Sequence, residues 1–225
     1  MRKILALFLF LCSNTCPAQT VNQFGLSIIN TPSDYQRSIL LDSNNTLLEI
    51  SKFIPGIKLD IRYAGTNNFS GKAVYDQARA FARAPVVKAL ESVQHDLNKR
   101  GLGLKIYDGY RPYSVTVKFF EIASDKNFVA NPQKGSRHNR GCAIDLTLVK
   151  LRNGKEIKMP TTYDSFAPEA SSNFKDLPRR VIRKRDLLIA VMTQYGFSVL
   201  DNEWWHFDFK DWKQYDLMDI PFKDL

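Results

Sequence analysis

Residues 136–149 read Ser136-Arg137-His138-Asn139-Arg140-Gly141-Cys142-Ala143-Ile144-Asp145-Leu146-Thr147-Leu148-Val149. Gly141 and the β-prone run after it argue against one continuous helix. The stretch therefore reads as a loop carrying His138 followed by a strand carrying Asp145. Side chains alternate along a strand, so Asp145 and Thr147 share a face with Ala143, while Cys142, Ile144 and Leu146 point the other way. That makes Cys142 a core residue, although a thiolate is a good zinc ligand.

The second decisive segment is Glu203-Trp204-Trp205-His206. The chain has three histidines, and two of them fall in these two segments. Two imidazoles and a carboxylate make a three-ligand zinc site whose fourth position stays open for water, which marks a catalytic rather than a structural site. A second carboxylate left off the metal makes a general base. Glu203 suits that role, taking a proton from water and passing it to a leaving amine. On a flat strand Glu203 and His206 face opposite sides. The backbone must therefore bend through Trp204 and Trp205 before the last strand starts at His206. The two tryptophans are expected to wall the site against water. A negative tetrahedral intermediate needs a further cation. Arg111, in a turn after a strand and held out of helix by Pro112, is the best candidate.

Around these segments the chain alternates helices and strands irregularly. Phe53 to Tyr63 alternates apolar and polar residues after Gly56 and reads as a strand. Ala64–Gly71 is rich in turn formers. Pro85 opens a helix with Val86, Val87, Leu90, Val93 and Leu97 at helical spacing, closed by Gly101. His95 falls on its polar side and has no catalytic part. Leu104–Tyr107 is a strand leading into Asp108-Gly109-Tyr110-Arg111-Pro112, and a helix follows from Pro112 or Ser114 to about Ala123. Asn153-Gly154 signals a hairpin turn, and residues 160–177 form a loop. Val181, Leu188, Val191, Met192 and Tyr195 mark a helix that stops at Gly196. Two last strands are expected at 197–199 and 206–209. The class is α+β around an antiparallel sheet.

The length of 225 residues suits one domain with a sizeable core, or two small ones. Arg2-Lys3, an apolar run Ile4–Leu11 and the exit Cys16-Pro17-Ala18 outline a secretory signal over 1–18. The run is too short to span a bilayer. Residues 19–50 read as an extension packed across the domain, and 51–225 as the domain itself. Cys12 and Cys16 leave with the signal, so Cys142 has no internal disulfide partner. The formal charge of +9 falls to about +7 when Arg2 and Lys3 are removed. The basic run Arg179–Arg185 lacks stacking aromatics, so it reads as a solvated helix face and not a nucleic-acid surface. No stable membrane insertion is expected once the signal is gone.

Ser136-x-His138-x6-Asp145, Glu203-x-Trp205-His206 and Asp108-Gly109-Tyr110-Arg111-Pro112 resemble the zinc D-alanyl-D-alanine dipeptidases of the VanX type. Zinc D,D-carboxypeptidases and the Hedgehog-type zinc domain are more distant relatives of that type. Asp60-Ile61-Arg62-Tyr63-Ala64, Asn68-Phe69-Ser70-Gly71 and Ala143–Leu148 look like the same family, so the resemblance runs over roughly residues 50–210.

The resemblance implies a Hedgehog/D,D-peptidase-like fold and one zinc ion per chain on His138, Asp145 and His206. It implies Glu203 as base, Arg111 on the scissile carbonyl, and a small cavity enclosing a dipeptide with free ends. It also implies Asp164 on the substrate ammonium, Ser136 near the substrate carboxylate and Asp108 in support of Arg111. Resistance-associated members act in the cytoplasm. The signal here points instead to a periplasmic or secreted enzyme that scavenges or recycles D-Ala-D-Ala from peptidoglycan. A zinc D,D-carboxypeptidase would need an open groove, and Asp164 favours the dipeptidase. A non-catalytic zinc-stabilised binding module would need neither Glu203 nor Arg111.

Overall fold

In the computed structural model, which describes residues 21–225, the chain begins with β1 (Ile28–Ile29), α1 (Pro32–Leu41), β2 (Leu47–Glu49), α2 (Ile50–Phe53) and β3 (Lys58–Leu59). It continues through β4 (Phe81–Arg83), α3 (Ala84–Asn98), β5 (Leu102–Asp108), α4 (Tyr113–Ile122) and β6 (Ala143–Lys150). It closes with α5 (Arg179–Gln194), β7 (Phe197–Leu200), β8 (Glu203–Phe209) and β9 (Leu217–Met218). The signal expected over 1–18 lies outside the described residues.

Five strands form the main sheet in the order β3-β5-β6-β8-β7. All neighbours are antiparallel except β3, which runs parallel to β5 at the edge. The α+β class read from the sequence holds, with that parallel pair in the main sheet and a second parallel pair, β1–β9, outside it. Two small pairs, β1–β9 and β2–β4, flank the sheet.

β6 sits at the centre because both of its faces are buried. Cys142, Ile144, Leu146 and Leu148 join the main core together with Leu90 and Leu97 of α3 and Leu188 and Met192 of α5. Burying each of these aliphatic side chains contributes roughly 1.5–3 kcal/mol. That stripe, more than intrinsic propensity, holds the two helices on the sheet. The alternate face of β6 carries Asp145 and Thr147. His95 is exposed on the outer side of α3.

Residues from 21 to 50 contribute to the domain itself. Ile29, Tyr35, Leu47 and Ile50 belong to the main core, and β1 pairs with β9 near the other end of the chain. Arg83, buried and without any sign in the sequence, donates from Nε to Arg140 O (2.8 Å) and from Nη1 to Asn45 O, tying this segment to the His138 turn.

Three expectations need correction. The strand predicted up to Tyr63 shrinks to Lys58–Leu59. Asp60 N still donates to Ile106 O at 2.8 Å, but the chain then turns so that Ile61 and Tyr63 are both buried. The strand expected from His206 begins at Glu203, and a further short strand, β9, follows it. The run Arg179–Arg185 is not wholly solvated, because Arg185 is buried and donates from Nη1 to Phe174 O at 2.6 Å.

Candidate active site

Two irregularities in the ladders aim side chains at one point. Ile106 faces Leu146, but Asp108 faces Asp145, so a bulge at Tyr107 turns Asp108 towards Asp145. In the β7–β8 hairpin Val199 faces Phe207. A regular ladder would then put Leu200 opposite His206, yet it faces Glu203. This slip is the bend that the Glu203–His206 spacing requires, and it occurs inside the strand. His206 stands opposite Asp145 on β6. His138 opens the short 3-10 turn His138–Arg140, and Gly141 closes it at φ 68°. That left-handed φ strains any residue with a Cβ, and a Cβ here would also press on Leu47 Cδ2 at 2.6 Å, so the turn favours glycine.

His138, Asp145 and His206 are all buried and offer one ligand atom each to a common point. His138 Nε2 lies 3.1 Å from His206 Nδ1 and 3.4 Å from Asp145 Oδ1, and His206 Nδ1 lies 3.0 Å from Asp145 Oδ1. A tetrahedral ion with bonds of about 2.0–2.1 Å requires ligand separations of roughly 3.3 Å.

The outer nitrogens set the tautomers. His138 Nδ1 donates to Gly109 O (2.7 Å), and His206 Nε2 donates to Asp208 Oδ1 (2.9 Å). Both inward nitrogens then carry lone pairs, beside a carboxylate oxygen. Three acceptors packed together with no donor among them demand a cation, so the set fits a metal. Burial opposes charge on Asp145, but the two imidazoles hold its carboxyl well below the ordinary carboxylate range. Burial also opposes charge on His206, yet its bonds to Asp145 and Asp208 push it up to about 10. A proton and a metal ion are alternatives for this place.

Glu203 Oε2 lies 3.9 Å from His206 Nδ1, outside the ligand trio, and makes no side-chain hydrogen bond among the described residues. Burial raises its pKa, with the Asp145 charge adding to the effect. Arg111 donates from Nε (3.0 Å) and Nη2 (2.6 Å) to Asp108 Oδ2, and its Nη2 is 3.9 Å from Asp145 Oδ2. Its guanidinium lies over Phe119 (4.9 Å) and Tyr63 (5.3 Å). Burial works against the Arg111 charge, but Asp108 and the surrounding groups hold its pKa well above the ordinary value. Asp108 is anchored in turn by Tyr75 Oη (2.8 Å) and its neighbour Gly109 N (2.9 Å).

His138, Asp145, His206, Glu203 and Arg111 border a cavity of about 420 Å³ that also takes in Ser136 and Asp164. Asp164 is the one non-glycine at positive φ (59°) among the described residues. Its Oδ1 accepts from Tyr63 Oη (3.0 Å), while Oδ2 is buried without a partner. Burial, then the charge of Asp145, pushes its carboxyl up to about 8. Ser136 Oγ accepts from His138 N at 3.2 Å, which leaves its own proton free.

Trp204 and Trp205 do not wall the cavity. Trp204 donates to Thr161 Oγ1 (3.0 Å), and Trp205 packs edge-on against Tyr163. The aromatic lining comes instead from Tyr63, Phe69, Phe119, Phe128, Phe166 and Trp212. Sequence reasoning missed Tyr163, which donates to Asp145 Oδ2 at 2.9 Å. It also missed Asp208, although residues two apart on a strand share a face and His206 was in view.

A family model described as D-ala-D-ala dipeptidase, Peptidase_M15, matches residues 43–223. The chain belongs to this family. The D-alanyl-D-alanine dipeptidase of Escherichia coli (strain K12) is 32% identical over 178 residues, covering 79% of this chain and 92% of the relative. The D-alanyl-D-alanine dipeptidases of Enterococcus faecalis and Streptomyces coelicolor are each 29% identical, covering 80% and 72% of this chain and 95% and 90% of theirs. Among solved structures, the LdcB LD-carboxypeptidase aligns over 58% of this chain and 61% of its own at 20% identity and a TM-score of 0.39. The Peptidase_M15 match spans every residue of the cavity lining described above.

Proposed function

We propose that this Peptidase_M15 member is a zinc-dependent D-Ala-D-Ala dipeptidase acting outside the cytoplasm on dipeptide released from the cell wall. The carrying observation is the buried trio of inward lone pairs on His138, Asp145 and His206 beside a carboxylate, Glu203, that is not spent on another bond. When bound, the ion supplies Lewis acidity and brings the pKa of a water towards neutrality. Glu203, with its pKa raised by burial, takes a proton at its carboxylate and returns it to the leaving amine.

Arg111 spends Nε and Nη2 on Asp108, which fixes its plane and leaves Nη1 for charge developing on the scissile carbonyl oxygen. The unpartnered Oδ2 of Asp164 suits a substrate ammonium, which would offset the cost of a buried carboxylate. The short basic-then-apolar start of the chain supports export, and export favours scavenging or recycling over removal of cytoplasmic precursor.

The test is incubation of purified zinc-loaded protein with D-Ala-D-Ala and with a wall pentapeptide ending in D-Ala-D-Ala, assaying released D-alanine. Release from the dipeptide alone supports the reading. Release from the pentapeptide with the dipeptide spared would replace it by a D,D-carboxypeptidase.

A further inference from the structure

We infer that Arg137 binds the carboxylate of the substrate's C-terminal residue and sets the preference of the site for a free acid over an amide. This rests on the dipeptidase reading above.

Arg137 lies between Ser136 and His138 and lines the cavity. Its guanidinium sits 4.8 Å over the ring of Trp212, another lining residue. Its Nε faces Asp208 Oδ2 at 3.4 Å. No acceptor among the described residues hydrogen-bonds its two terminal nitrogens. Asp208 gives its other oxygen to His206 Nε2 at 2.9 Å, so it cannot hold Arg137 in a two-point fork. The side chain is thus oriented by a ring and one carboxylate oxygen, with its terminal nitrogens unspent and its side chain 42% exposed. A planar, pre-oriented guanidinium loses little freedom when it takes a carboxylate.

The rest of the cavity makes such a cation necessary. Asp145, Asp164 and Glu203 all border it, and a second anion would be repelled without a counter-charge. Arg111 spends Nε and Nη2 on Asp108, and its remaining Nη1 is the group assigned above to the carbonyl oxygen. Arg140 donates from Nη1 to Tyr215 O. Lys134 is exposed, with no partner that orients it among the described residues.

The connections also separate the two poles. Asp164 is joined through Tyr63 and Tyr163 to Asp145 Oδ2, whereas Arg137 is joined through Asp208 to His206 Nε2. The anionic and cationic groups therefore reach the ligand trio through different members of it. A dipeptide with free ends carries its opposite charges about 7 Å apart, one at each end. Ser136 Oγ, next to Arg137 and with its proton free, adds a second donor on the carboxylate side.

The experiment measures binding of D-Ala-D-Ala and of D-Ala-D-alaninamide by calorimetry to zinc-loaded Glu203→Gln protein, with and without Arg137→Gln or Arg137→Lys. Arg137→Gln should weaken binding of the acid by roughly 10-fold or more, the scale of a charge-assisted bond, and leave the amide within about 3-fold. Arg137→Lys should recover part of the loss. Equal weakening of acid and amide would make Arg137 a support for Asp208 and His206 and overturn the proposal. An unchanged acid would overturn it as well. Hydrolysis of D-Ala-D-Ala by the wild-type protein is read separately, so failure of the dipeptidase reading is told apart from failure of the Arg137 assignment.

Discussion

Asp145 and His206 stand directly opposite each other on β6 and β8, with Oδ1 3.0 Å from Nδ1. The separation of these two candidate ligands is therefore set by the sheet ladder itself. The third candidate ligand, His138, comes from a turn. Its position depends on bonds to the Asp108–Arg111 segment, where Gly109 O accepts from Nδ1 and Arg111 N donates to His138 O at 3.1 Å.

Gly109→Ala should loosen that third ligand. A Cβ at 109 would meet the backbone oxygen of Phe81 at 2.6 Å, and backbone cannot yield as a flexible side chain would. We expect a loss of about 1–3 kcal/mol, the usual cost of overpacking, and weaker zinc binding. Thermal melts and a chelator-competition titration check both. Wild-type values in each would show that Gly109 does not position His138.

Asp208→Ala should weaken zinc binding by roughly 10–100-fold, since partners on the outer nitrogen of a ligand histidine have effects of that size. His206 Nε2 would lose its acceptor at 2.9 Å and its fixed tautomer. The same titration reads the result, and an unchanged affinity would mean that the ladder alone orients His206.

What could be read from the sequence follows from how local each signal is. The strand of Asp145, the helix from Pro85 and the core position of Cys142 rest on periodicity within one segment, and each appears as expected. The Glu203–His206 spacing revealed that a bend was needed. It did not show that the bend is a slip against β7, because pairing register is a relationship between strands. The cavity walls were misread for a similar reason. Trp204 and Trp205 are adjacent to the site in sequence, but Phe69, Phe128 and Phe166 reach it from separate loops. Arg83 and Tyr163 act only through distant partners, so no local pattern marks them.

Cys142 should be inert in the native protein. Burial pushes its thiol up from 9.0 to about 12, with Arg83 acting in the opposite sense. A folded-state pKa above the unfolded one favours folding fully below about pH 9, and that contribution is lost as pH rises from 9 to 12. A thiol reagent at pH 8 should label Cys142 only in denaturant. Rapid labelling of the native form would contradict this burial.

N-acetyl-D-Ala-D-Ala should be a very poor substrate. Acetylation removes the ammonium and leaves the buried Asp164 Oδ2 without its counter-charge. With its carboxyl pushed up to about 8, Asp164 takes a proton when the ammonium is gone, so the loss is that of a charge-assisted bond, about 1.5–3 kcal/mol, and kcat/KM should fall by roughly 10–100-fold. If the acetylated and free dipeptides are cleaved at similar rates, Asp164 does not read the ammonium and longer wall peptides become the better candidates.

Glu203→Gln should abolish turnover while leaving zinc bound. Glu203 Oε2 lies 3.9 Å from His206 Nδ1, beyond the trio whose ligand atoms lie 3.0–3.4 Å apart. In the proposed function it enters the reaction through protons, and glutamine keeps its shape while removing its basicity. A positioned acid–base group commonly contributes 10²–10⁴-fold. In the proposed function one carboxylate serves both the attacking water and the departing amine, so the loss should reach about 10⁴. The fold should persist, since Glu203 makes no side-chain hydrogen bond among the described residues and its β8 pairing is through backbone. Arg111→Ala should also slow the reaction, but by removing charge stabilisation on the carbonyl oxygen. It would also leave Asp108 buried without its cation, so its melting temperature should fall where that of Glu203→Gln does not. Zinc content, melting temperature and D-Ala-D-Ala hydrolysis on the same samples separate these outcomes. Lost activity together with lost zinc in Glu203→Gln would make Glu203 part of the metal site and not the base.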